Sequence, residues 1–152
     1  MNLDPRTLDI VFLVANVSTA PAWLALVFAP TSQITRWLTQ SVLPFALLSV
    51  AYCVLLFTDF GGGGDASMFS LNGVMAIFDK PQTAIAAWIH YLVFDLFVGA
   101  WEAEDAKTHG IRRIVLIPCL FGTWFFGPAG FLVYLLARTV QRRSVWLDHS
   151  SC

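Results

Sequence analysis

Four apolar stretches, each close to twenty residues long, recur along this chain at 10–28, 42–60, 84–101 and 114–136. A helix needs about 20 apolar residues to cross the ~30 Å hydrocarbon core of a bilayer. Inside that core every backbone polar group must be satisfied within the protein, which favours helices. The stretches therefore predict an all-α protein: a four-helix transmembrane bundle, with the 152 residues forming a single integral membrane domain. Composition agrees, since 57% of residues are hydrophobic and 12% charged, about half the charged share of a soluble domain. The net charge of -1 offers no basic face for nucleic acid. Membrane lipid is the expected surrounding.

The first stretch contains Asn16 and Pro21, is of span length and lacks a small-residue cleavage site, so it reads as a retained helix. The expected location is a bacterial inner membrane, or a plastid membrane if the chain is a mature plant or algal form. Thr31-Ser32 can cap a helix running through Trp37, and Pro44 would then kink the second span. Four glycines at 61–64 lack the Lys and Ser/Thr of a phosphate-binding loop and read as a tether. Residues 68–78 are apolar enough to form a short interfacial helix before the third span. The polar tail 141–152 is expected to fray. Four spans would place Arg6, Lys80, Arg138, Arg142 and Arg143 on one side and Arg36, Lys107, Arg112 and Arg113 on the other. That split of five against four leans weakly toward both termini inside.

The third stretch carries the unusual residues. Asp95 lies roughly 16 Å along the helix from Ala84 and His90 roughly 9 Å, at 1.5 Å per residue. An ionisable side chain at such depth costs several kcal/mol and usually faces a protein interior or a wet cavity. Helical geometry separates the two by roughly 140° in azimuth and about 7.5 Å in rise. One straight helix therefore does not bring them to a common metal. Either both border one cavity, or each clamps a different neighbouring helix, with Asn16, Ser18, Thr19 or Thr123 as partners. Asp105 and His109 have the i, i+4 spacing of a metal pair, and Glu102 and Glu104 add carboxylates. At a water-exposed helix end, a solvated charge run is the ordinary reading. No cofactor or metal is specified. Cys53 and Cys119 lie in apolar runs and read as core residues.

The run WIHYLVFDLFVG at 88–99 resembles the signature of one membrane family, as do Asp105, Gly110, Pro118, Thr123, the segment FGPAG at 126–130, and Arg138. Asn16, Pro21, Trp23, Pro30 and Tyr52 extend the likeness toward the N-terminus. The family is the abscisic-acid-deficient-type, or neoxanthin-synthase-like, group. The resemblance implies four membrane helices and action on a carotenoid or related isoprenoid, in the manner of an epoxy-xanthophyll isomerase. Such a reaction needs a general acid near the epoxide and a base near the departing proton. His90 and Asp95 are the expected catalytic residues, with Asp105 third. Trp88, Tyr91, Phe94, Asn16 and Thr123 are the expected substrate-binding residues. A non-catalytic scaffold or pigment-binding accessory protein remains open. So does a proton relay through His90 and Asp95, which would need a homo-oligomer, because four helices enclose little.

Overall fold

The computed structural model describes residues 3–59, 66–144 and 147, and the described residues contain helices and no strands. The helices are α1 (Pro5–Phe28), α2 (Gln33–Gln40), α3 (Val42–Asp59), α4 (Leu71–Phe78), α5 (Pro81–His109), α6 (Arg113–Phe126) and α7 (Pro128–Arg142). Each boundary has a local cause. Asp4 accepts from the Thr7 amide at 3.0 Å and starts α1. Ser32 accepts from the Thr35 amide at 3.0 Å and starts α2. The helix begun at Ser32 does not run kinked into the second stretch but breaks at extended Ser41, because Pro44 would clash with the carbonyl of Gln40 four residues before it. Ser70 caps α4 through the Gly73 amide at 3.1 Å, so 68–78 does supply a short helix. α5 ends on Gly110, whose φ of 67° suits glycine, while the Ile111 amide returns to Ala106 O at 2.8 Å. The glycines 61–64 and the tail beyond 144, Leu147 apart, lie outside the described residues.

Among the described residues, three segments are long and apolar enough to cross a membrane: Pro5–Phe28, Gln33–Thr58 and Pro81–His109. The fourth expected span is not one helix. Stretch 114–136 divides at Gly127, whose φ of 51° and ψ of -111° end α6. Pro128 then begins α7 without needing a donor. A Cβ on Gly130 would fall onto the backbone of Gly122 and Thr123, so α7 doubles back against α6 at a contact that only glycine permits. At 14 residues, α6 is about 21 Å long and falls short of the ~30 Å core.

The described chain forms two compact units. Unit 1 comprises Met1–Thr19 and Val42–Val93; unit 2 comprises Ala20–Ser41 and Phe94–Cys152. In unit 1, Leu8, Ala15, Leu55, Ala86, Ile89 and Leu92 make the core. Gln82 ties it together, donating to Thr58 Oγ1 at 2.6 Å and accepting from the Leu3 amide at 3.4 Å. In unit 2 the core forms around fully buried Trp23. Its ring stacks on Trp124 at 5.7 Å and lies against Gly99, where a Cβ would strike it.

Candidate functional site

Unit 2 holds an unusual set of buried polar side chains. Asp95, Glu102, Asp105, Thr123 and Arg138 are all buried. Asp95 and Glu102 are seven residues apart on α5, two turns on nearly the same face. Glu102 Oε1 accepts from Thr123 Oγ1 at 2.8 Å. Its Oε2 is buried without a hydrogen-bond partner among the described residues.

One turn further along, Asp105 Oδ2 accepts from Arg138 Nε at 2.7 Å and from the Tyr134 hydroxyl at 2.6 Å. His109 Nδ1 lies 3.1 Å from Asp105 Oδ1 and 2.9 Å from the Asp105 carbonyl oxygen. The shorter approach identifies the carbonyl as its hydrogen-bond partner. Gly130, Tyr134 and Arg138, spaced by four, form the buried stripe of α7. The hairpin turn brings that stripe onto α5.

These contacts revise the solvated-run reading of the α5 end. Glu102 and Asp105 are fully buried, because α6 and α7 cover that face. Glu104 and Lys107 make an exposed pair, at 3.1 Å. The Asp105–His109 pair does not grow into a metal centre. Among the described residues no group of three or more His, Cys, Asp or Glu side chains could hold an ion.

The remaining expected residues divide between the units. In unit 1, Trp88 Nε1 donates to Asn16 Oδ1 at 3.1 Å, and its ring stacks on Tyr91 at 5.2 Å and meets Phe12 at 5.8 Å. Asn16, Trp88 and Tyr91 thus form one aromatic wall with an amide in it. His90 is exposed, its ring 5.9 Å from that of Tyr52. In unit 2, Phe94 is exposed, whereas Thr123 is turned inward onto Glu102.

The buried α5 carboxyls and the 126–130 turn fall within, or close to, one matched region. A family model described as ABA DEFICIENT 4-like matches residues 10–134. The chain belongs to this family. The ABA DEFICIENT 4-like region takes in Asn16, His90, Asp95, Glu102, Asp105, Thr123 and Tyr134. The chain is 29% identical over 138 residues to "Protein ABA DEFICIENT 4, chloroplastic" of Arabidopsis thaliana, covering 86% of this chain and 61% of that protein. It therefore spans less than two thirds of its relative. No solved structure matches this ABA DEFICIENT 4-like chain.

Sequence reasoning placed Asp105 in the site without finding its partners. The signal was the i, i+4 spacing of Gly130, Tyr134 and Arg138, which becomes legible only when 114–136 is read as two helices.

Proposed function

We propose that this ABA DEFICIENT 4-like protein acts within a membrane on a carotenoid or related isoprenoid, as an intramolecular isomerase of an epoxy-xanthophyll. The observation that carries the reading is an imidazole exposed on a helix of span length: His90 on α5, beside Tyr52. A lipid-dissolved polyene could meet such a group directly. An imidazole ring carries one nitrogen that can donate a proton and one that can accept it.

The reaction is redox-neutral. A proton leaves a polyene carbon, its electron pair forms the new carbon–carbon double bond, and the epoxide C–O bond breaks toward oxygen. The alkoxide then takes a proton. His90 is the proposed proton carrier at the substrate. Asp95, buried on α5 within unit 2, is the alternative carrier. Asp105 ranks third, because its carboxylate is already engaged by Arg138 and Tyr134. Asn16, Trp88 and Tyr91 offer a flat apolar wall with one polar group, which suits a polyene with an oxygenated ring. The chloroplastic relative supports a plastid membrane and gives no support for a bacterial inner membrane.

A non-catalytic scaffold or pigment-binding role is the second reading. It is favoured by the Glu102–Thr123 and Asp105–Arg138 contacts, which clamp helices as well as any structural pair would. The test is pigment chromatography from an epoxy-xanthophyll-producing host with and without the protein. A new pigment of unchanged mass supports isomerisation. Pigment that co-purifies with an unchanged profile supports the scaffold. An unchanged profile in several epoxide backgrounds, with no pigment bound, counts against both.

A further inference from the structure

We propose that α6 and α7 are a re-entrant hairpin, so that the chain crosses the bilayer three times and presents the cationic end of unit 2 to an anionic lipid surface. Three independent contacts put the relevant helix ends together within unit 2. Arg113, at the start of α6, donates to Phe28 O at 2.6 Å and Val27 O at 3.3 Å, the last carbonyls of α1. Arg138, near the end of α7, bonds Asp105 near the end of α5 at 2.7 Å. Thr35, in the first turn of α2, donates to Ala29 O at 2.5 Å, just past α1. So α6 starts where α7 finishes, at the level where α1 and α5 end.

A continuous fourth span would carry Arg138 to the far face of the membrane, about 30 Å from Asp105. The Arg138–Asp105 ion pair forbids that. The hairpin surface is fit for lipid instead: Ile114, Phe125, Phe126 and Val140 are exposed apolar side chains. The irregular backbone at Gly127, which lipid would not tolerate bare, is buried.

Removing one crossing rearranges the charges. Arg36, Lys107, Arg112, Arg113, Arg138, Arg142 and Arg143 now share one face, leaving Arg6 and Lys80 on the other. The split becomes seven against two. Asp4, Asp9 and Asp79 belong to the face with two cations. Basic residues near span ends remain on the side of negative surface potential. The cationic end therefore faces the cytoplasm in a bacterial host, and the N-terminus faces away.

The test is cysteine labelling of the full chain in sealed bacterial inner-membrane vesicles of known orientation. A background with Cys53, Cys119 and Cys152 replaced by serine or alanine carries one probe at a time: Asn2→Cys, Ala66→Cys, Arg112→Cys or Ser144→Cys. A membrane-impermeant maleimide should label positions 112 and 144 from the cytoplasmic face only, and positions 2 and 66 from the opposite face only. Labelling of positions 2 and 144 from the same face restores four crossings and overturns the proposal, as does failure to label 144 from either face. Joint charge reversal, Arg112→Glu with Arg142→Glu and Arg143→Glu, should give labelling of Ser144→Cys from both faces. Unchanged one-sided labelling would show that these cations do not set the orientation.

Discussion

Replacing Arg138 with methionine should destabilise the protein more than any exposed substitution. Arg138 and Asp105 are 2% and 0% exposed, and their charges meet at 2.7 Å with the Tyr134 hydroxyl as the second donor. Methionine keeps most of the side-chain volume and removes the cation. The Asp105 carboxylate is then buried with one neutral donor on Oδ2. Stranding a buried charge costs about 3–5 kcal/mol. At roughly 2–4 °C per kcal/mol for a chain of this length, the melting temperature in detergent should fall by about 6–20 °C. Replacing both partners, Asp105→Asn with Arg138→Met, removes the stranded charge and should recover most of the loss, because a buried pair is worth little against neutral isosteres. The assay is thermal unfolding of the purified single and double variants in one detergent. A drop of less than about 3 °C in the single variant, under about 1 kcal/mol, would refute the buried-pair reading. So would a double variant no more stable than the single.

Other substitutions separate close packing from backbone strain. Gly130→Ala should lower stability by several kcal/mol, since its Cβ lands on the α6 backbone, whereas Gly110→Ala should cost only about 1–2 kcal/mol of left-handed strain; paired melting curves compare them. Gly99→Ala should quench or shift Trp fluorescence by displacing the Trp23 ring it touches, and an unchanged spectrum would deny that contact. The Thr7 hydroxyl and amide hold the exposed Asp4 carboxyl below the ordinary carboxylate range. Because the folded value is depressed, the stabilisation is complete above the unfolded value of about 3.9 and is lost as pH falls through the folded one. Protection of the Thr7 amide by hydrogen-exchange NMR should fall in that acid window in the wild type. In Asp4→Ala it should be low throughout.

Helix existence was legible because apolar runs of span length leave few alternatives. A cap at Thr31-Ser32 and the helix within 68–78 followed from local chemistry acting over a few residues, whereas the kink expected at Pro44 is a full break at Ser41. The fourth span was misread because its apolarity is continuous across Gly127, and hydropathy does not record a reversal of direction. The solvated reading of Glu102 and Asp105 followed from it. Both residues look exposed at a helix end until α7 is folded back over them. The 140° separation of His90 and Asp95 is a property of any straight helix. It was readable in advance and matches an exposed imidazole and a buried carboxyl on α5.

The most direct measurement is the pigment profile of an epoxy-xanthophyll-producing host expressing the wild type, His90→Ala or Asp95→Asn, with each variant's melting temperature recorded in detergent. Wild type should yield a pigment of the same mass and shifted absorbance. His90→Ala should abolish it while melting within about 2 °C of wild type, since that side chain is exposed. Full product from a folded His90→Ala variant, or no new pigment from the wild type in any epoxide background, would contradict the account.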